Sequence, residues 1–387
     1  MNRIALVYPF TNMDTVPSLC NTVEILAEHG YLVEVFLKTS PEFILPSFQH
    51  PNILIHPTYP PRWERRGIHR VIPANWSRPL DMWQRHSRIP YRAVIGVDPE
   101  GLSLAAHLAG LSRIPLVYYS LELMLSREVG NGAQQKLKRT EMRLSRKSAF
   151  VIIQDEARAS LLARDNAIPM DRFVYVPNSP LGQARRQKND YWHRKFGLPP
   201  QARVVLHAGS ISEWTGIHDI VEASADWPDP FVLVVHTRSN PGASEAILAL
   251  QRRAMPGRVF FSLEPVSRQD YGQLMDGADI GLAFYKWVPG NVYTQQNIST
   301  IGLSSGKVAY ALHSGLPVVV SRSEGLPNLI ETTRSGVVVD HCSEIGNALA
   351  VIDRSYAAYS AAAMDLYNAR LDFRDGFNRV LDRLDTL

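Results

Sequence analysis

Ser304-Ser305-Gly306-Lys307 stands directly before the apolar segment Val308–His313. Two hydroxyls, a glycine and an ammonium at a helix start supply backbone N–H groups, side-chain donors and a positive charge at the positive end of the helix dipole. Such a set suits a diphosphate. It is not the nucleotide-hydrolase loop, because the spacing G-x-x-x-x-G-K-[ST] is absent. An ordinary capped helix start would carry the same residues, so the surrounding elements must decide. Two carboxylates also stand where chemistry is expected. Asp98, in Gly96-Val-Asp-Pro-Glu-Gly101, and Glu122, in Ser120-Leu-Glu122, each follow an apolar run. Loop carboxylates there either cap the next helix or act on a ligand. Asn12 and Asp14 lie in the turn-rich loop after the first apolar run. No Asp-x-Asp triplet occurs, and the twelve histidines show no ligand spacing, so neither metal nor cofactor is expected.

The elements that must position these groups alternate along the chain. In the first half, strands are expected at Ile4–Tyr8, Tyr31–Leu37, Ala93–Val97, Ile114–Tyr119 and Phe150–Ile153. A helix capped by Ser18 runs to Gly30, and a second covers Leu102–Leu111. Strands separated by helices imply a parallel sheet covered on both faces. Ligands bind beyond the carboxyl ends of such strands, which directs attention to loops 9–17, 98–101 and 120–130. Pro177-Asn-Ser-Pro180 and the basic stretch Gln183–Lys195 read as an interdomain connection. The alternation restarts with strands at Arg203–His207, Phe231–Val235, Val259–Ser262, Ile280–Phe284, Pro317–Ser321 and Gly336–Val339.

With 387 residues, two domains are expected. They are residues 1–183 and 184–355, with 356–387 a terminal helix packing back across the junction. No apolar run is long enough to span a bilayer, and Ile4–Tyr8 is too short for a signal peptide. Cys20 and Cys342 form no disulfide or metal framework, so a reducing, cytoplasmic setting is expected. The net charge is mild at +4, and nucleic acid is not an expected partner. The charge is nonetheless clustered. Eight arginines fall between Arg62 and Arg92, among Trp63, Trp76 and Trp83, and a second group runs Lys136, Lys138, Arg139, Arg143, Arg146, Lys147. These predict a surface for an anionic partner or a peripheral membrane contact at the inner face. A solvated helix face is the alternative.

The order of motifs resembles the large retaining GT-B glycosyltransferase family (group 1, family 4-like). The Lys307 helix runs into Gly315-Leu-Pro-Val-Val319, followed by Gly325 and the strand Gly336–Val339. His207-Ala-Gly209-Ser210 with Trp214-Thr-Gly-Ile217 is similar to the family's glycine turn, and Ala278-Asp-Ile-Gly-Leu282 to its aspartate-bearing strand entry. Ile152–Glu156, Val176–Ser179 and Leu26–Val35 match its first domain. The resemblance implies an α/β GT-B fold, two Rossmann-like doubly wound domains facing across a cleft. It implies a metal-independent, retaining transferase with a nucleotide diphosphate sugar as donor. The acceptor would be a glycan, a glycolipid or a natural product, as in polysaccharide biosynthesis. Glu122 and Lys307 then become catalytic candidates. Gly209, Ser210, Arg238, Ser304, Ser305, Gly306, Lys307, Tyr310 and Glu324 become donor-binding candidates, and Asn12, Asp14 and Asp98 acceptor-binding ones.

The departures are specific. The family's two glutamates, eight residues apart, fall on Gly302 and Tyr310, and its basic pair on Ser210 and Thr215. Arg238, Arg322 and Glu324 could compensate. A nucleotide-sugar epimerase on the same fold and a non-catalytic nucleotide-sugar-binding subunit remain as alternatives. A nicotinamide dehydrogenase is disfavoured, since no Gly-x-Gly-x-x-Gly follows the first strand.

Overall fold

The computed structural model describes residues 2–38, 44–58, 90–130, 132–237, 244–264, 266–289, 295–323 and 325–387. Apolar, β-branched runs form the strands. The first sheet contains β1 (Arg3–Tyr8), β2 (Leu32–Lys38), β3 (Ile53–Thr58), β4 (Tyr91–Val97), β5 (Leu116–Tyr119), β6 (Val151–Ile153) and β7 (Phe173–Tyr175). The second contains β8 (Arg203–Ala208), β9 (Phe231–His236), β10 (Val259–Ser262), β11 (Ile280–Ala283), β12 (Val318–Ser321) and β13 (Gly336–Val339). Among the described residues the orders are β3-β2-β1-β4-β5-β6-β7 and β10-β9-β8-β11-β12-β13, all pairings parallel. Both are the doubly wound order, which reverses between β1 and β4 and between β8 and β11. Beyond the carboxyl ends at those points, neighbouring loops diverge and leave a crevice for a ligand.

The first unit runs to Pro177 and takes back Phe373–Leu387, while Asn178–Asp372 build the second. The chain therefore leaves the first unit earlier than residue 183. The expected terminal helix is two helices, Tyr356–Arg370 and Phe373–Asp385. In the second of these Phe373, Phe377, Val380 and Leu384 are buried. Gly376 lies so close to the first unit's β7 that a Cβ there would come within 2.8 Å of the Tyr175 carbonyl.

Other differences have local causes. The helix expected from Ser18 is Pro17–Glu28, with proline in its first turn, where its fixed φ and missing N–H cost nothing. Asp98–Ser112 is helical from Asp98 itself, again with proline in the first turn, so 98–101 is not a loop. β3 escapes the sequence pattern because it carries Pro57, tolerated at the sheet edge where β3 lies. The second basic cluster does not form one surface. Lys136, Arg139 and Arg143 recur on one exposed face of the helix Ala133–Ser145, with Arg146 and Lys147 exposed beyond it. Lys138 falls on the opposite face, buried, and its ammonium meets Glu141 (2.9 Å), Asp165 (2.7 Å) and Asn166 (2.6 Å). A buried charge is tolerable only when paired in this way. Most of Arg62–Arg92 lies outside the described residues. Arg92 itself donates to the carbonyls of Leu384 (3.1 Å) and Asp385 (2.7 Å). No helix among the described residues is long and apolar enough to cross a membrane.

Candidate functional site

In the second unit, four expected residues come together at the carboxyl end of β8. Gly209 follows that strand with φ +155°, a backbone conformation that disfavours a side chain. A Cβ on Gly209 would lie 2.9 Å from Lys307 Cε and 3.2 Å from Cδ, so the lysine stem lies directly over the glycine turn. Lys307 occupies the first turn of the helix Gly306–His313, and Ser305 caps it by accepting from the Val308 N–H (3.3 Å). The same hydroxyl is 2.6 Å from the Tyr285 hydroxyl. The Lys307 ammonium lies 4.9 Å from the centroid of Tyr285 and 5.6 Å from that of Trp214, rings that stack on one another. Within about 6 Å an ammonium is held by the ring quadrupole, so the charge is fixed in place before any anion arrives.

Around it, Ser210 is exposed, and its carbonyl accepts from Thr215 Oγ1 (3.2 Å) and His207 Nε2 (3.3 Å). The two positions where the family carries a basic pair thus close the turn on themselves. Ser304 accepts from Asn178 Nδ2 through its carbonyl (3.0 Å). Tyr310, on the same helix as Lys307, meets Tyr271 edge-on at 4.6 Å. Tyr285 also lines a cavity of about 560 Å³ with Gly216, Asp219, Trp287, Arg322 and Asp340. Arg322 is already paired with Asp340 (2.6 Å) and Glu331 (3.5 Å). Arg238 and Glu324 lie outside the described residues.

His207, wholly buried beside this cluster, has its ring pushed down to about 3 by burial and by the charge of Lys307. The Ser210 carbonyl can only accept, which places the proton on Nε2. The ring is therefore neutral in the folded state at every pH above about 3. Below about 6.5 the unfolded chain binds a proton that the folded one refuses. Stability of the second unit should fall by about 1.4 kcal/mol per pH unit between pH 6 and 4 from this residue alone. In His207→Gln, which can still donate to Ser210, denaturant titrations at pH 7, 6, 5 and 4 should show a slope shallower by that amount. Equal slopes in both proteins would contradict the assignment.

In the first unit a second cluster forms at the ends of β1, β4, β5 and β6. Asn12 accepts from the Tyr8 hydroxyl (2.8 Å) and precedes the 3₁₀ turn Met13–Thr15, which carries the half-buried Asp14. Asp98 is buried, with φ +56°. Its Oδ1 accepts from two consecutive main-chain donors, Leu121 (2.8 Å) and Glu122 (3.0 Å). Burial, reinforced by the charge of Glu122, raises the Asp98 carboxyl well above its ordinary range, while the two N–H groups oppose the rise. The Glu122 side chain is exposed. The structure thus brings the acceptor candidate Asp98 and the catalytic candidate Glu122 together.

Several residues here were not anticipated. Arg158 is 1 % exposed and donates to the Leu121 carbonyl (2.8 Å), and burial lowers its guanidinium despite the charges of Glu122, Asp155 and Asp98. Gln154, also 1 % exposed, donates to the Ser120 carbonyl (2.9 Å). An arginine inside Glu156–Asn166 reads from sequence as a solvated helix face, and only burial reveals it. Tyr285 could have been found, since it follows β11 at its carboxyl end.

Residues 16–179 match the model of the glycosyl transferase 4-like domain. No protein of curated function matches the sequence. Among solved structures, HepE of Anabaena in complex with UDP-glucose aligns over 100% of both chains with a TM-score of 0.73 at 16% identity. Sucrose-phosphate synthase from Thermosynechococcus elongatus aligns over 100% of both with 0.72, also at 16%. WaaG, a glycosyltransferase involved in lipopolysaccharide biosynthesis, covers 100% of this chain and 99% of its own with 0.65 at 16%. The fold read from the sequence is borne out: the chain has the GT-B fold, and residues 16–179 are similar to a glycosyl transferase 4-like domain.

Proposed function

We propose that this protein transfers a sugar from a nucleotide diphosphate to an acceptor glycan or lipid-linked glycan, without a metal ion and, on the family resemblance, with retention of configuration. The observation that carries the reading is the Lys307 stem laid over Gly209 at the helix start Gly306–His313. A helix start, an ammonium already held by two rings and a turn without a Cβ together form a place for a diphosphate. That HepE, of the same fold, has been seen with UDP-glucose supports a nucleotide sugar as the ligand. In the reaction the bond from the anomeric carbon to the diphosphate breaks. The acceptor oxygen bonds to that carbon on the same face that the diphosphate leaves, as retention in one step requires, and the acceptor proton leaves to a carboxylate. Lys307 stabilises the charge that grows on the diphosphate, and Glu122 is the carboxylate. Ser210, Ser304, Ser305, Gly306 and Tyr310 surround the donor, and Asn12 and Asp14 meet the acceptor. A thermal-shift series with uridine, guanosine, adenosine and thymidine diphosphates tests the donor half. One diphosphate should raise the unfolding midpoint in a saturable way, because a ligand of the native state stabilises it. No shift with any of them would contradict the reading.

The exposed row Lys136, Arg139, Arg143, Arg146 and Lys147 supports a contact with an anionic membrane face on which a lipid-linked acceptor would lie. Basic residues near anionic lipid contribute about 1 kcal/mol each. Co-sedimentation with vesicles containing 30 mol% phosphatidylglycerol should exceed that with phosphatidylcholine alone by at least tenfold at low salt. It should fall steeply as salt rises. Equal recovery on both vesicles at all salt concentrations would leave the row a solvated helix face.

A further inference from the structure

The turn Ser120-Leu121-Glu122 is held from beneath by three side chains of separate origin. Asp98 opens the helix after β4, Gln154 directly follows β6, and Arg158 lies within the helix Glu156–Asn166. All three are at most 5 % exposed. Between them they take the main-chain carbonyls of Ser120 and Leu121 and the main-chain N–H groups of Leu121 and Glu122. The Ser120 N–H is bonded to the Ile152 carbonyl (2.9 Å), so β6 anchors the base of the turn. A short turn at a strand end is ordinarily satisfied by its own main chain or by water. Here buried polar groups, each expensive to desolvate, are committed to it instead. Glu122 itself is exposed at the surface of the turn.

We propose that Asp98 is a positioning residue, which fixes the direction of the Glu122 carboxylate by clamping the two peptide groups that carry it, with Arg158 and Gln154 completing the frame. This rests on the assignment of Glu122 as the carboxylate of the reaction. Asp98 adopts a left-handed φ, uncommon for a residue with a side chain, and that conformation is maintained at the start of a helix packed against β1 and β4. Gly101 in the same helix has no room for a Cβ, which would lie 2.5 Å from the Val7 carbonyl. The helix cannot slide, and the Asp98 carboxylate is therefore a fixed point against which the turn is set. A misplacement of about 1 Å in a reacting group can lower a rate by about a hundredfold.

The test compares Asp98→Asn with Asp98→Ala in the full chain. Asparagine keeps an Oδ1 acceptor of the same reach, and turning its amide the other way would set donor against donor. Alanine removes the acceptor altogether. Deuterium uptake of the peptide covering residues 116–125 should rise at least tenfold in rate in Asp98→Ala and stay within about threefold of wild type in Asp98→Asn. Release of nucleoside diphosphate from the best donor of a UDP-, GDP-, ADP- and dTDP-sugar panel should fall ten- to a hundredfold in kcat for alanine. It should stay within about threefold for asparagine, and the donor Kd should be unchanged in both, which also reports that the second unit is folded. Equal losses for Asn and Ala would show that charge rather than the clamp acts, and unaltered exchange in the alanine variant would show that no clamp exists. Either overturns the inference. Glu122→Gln in parallel separates the two levels: full activity there refutes the role of Glu122, whereas inactivity there with normal kcat in Asp98→Ala refutes only the positioning.

Discussion

Replacing Lys307 by alanine is expected to lower kcat by about two orders of magnitude while the fold persists. As the glycosidic bond breaks, negative charge grows on the departing diphosphate, so a cation there gains more in the transition state than in the ground state. A charge-assisted hydrogen bond contributes about 1.5–3 kcal/mol, and a hundredfold rate is about 2.7 kcal/mol, so the two figures agree. Tyr285 and Trp214 hold the ammonium over the Gly209 turn beforehand, which spares the reorganisation a solvated lysine would need. Donor Kd should weaken by less than tenfold. If kcat and Kd were both unaltered, Lys307 would be only a helix-start lysine with an aromatic neighbour.

Glu122→Gln should lower kcat by two to three orders of magnitude and leave donor affinity unchanged, since positioned proton transfer contributes about 10²- to 10⁴-fold. The substitution keeps the size of the side chain. The main-chain bonds that hold the turn, from the Glu122 N–H to Asp98 and from Arg158 to the Leu121 carbonyl, do not involve the atoms that change. Loss of kcat without loss of stability or donor binding therefore reports the carboxylate alone. A variant with unaltered kcat would remove Glu122 from the reaction.

Much of this was legible in the chain before the structure. Apolar runs such as Ile4–Tyr8 and Val318–Val320 read as buried parallel strands because both faces are covered, and the doubly wound order follows from their alternation with helices. Lys307 and Gly209 are nearly a hundred positions apart, yet each bears a local signal, a cation at a helix start and a glycine at a strand end. Burial was not legible. Lys138 and Arg158 carry the same charge as their exposed neighbours, and only the helical phase set against a specific core turns them inward. Which N–H groups the Asp98 oxygen faces was not legible either, because sequence shows a residue after a strand and not which turn lies above it. The short edge strands β3 and β7 were missed for lack of length or because of Pro57.

The central claim is that the purified chain turns over a nucleotide sugar. Single-turnover incubation with UDP-, GDP-, ADP- and dTDP-sugars, in excess chelator and with radiolabelled sugar, measures it most directly. The account predicts that one donor releases its nucleoside diphosphate, that the label passes to water or to an added glycan acceptor, and that chelator changes the rate by less than about twofold. Saturable binding of a nucleotide sugar with no release of diphosphate would contradict it, and would instead mark a non-catalytic subunit lacking the carboxylates absent at Gly302 and Tyr310.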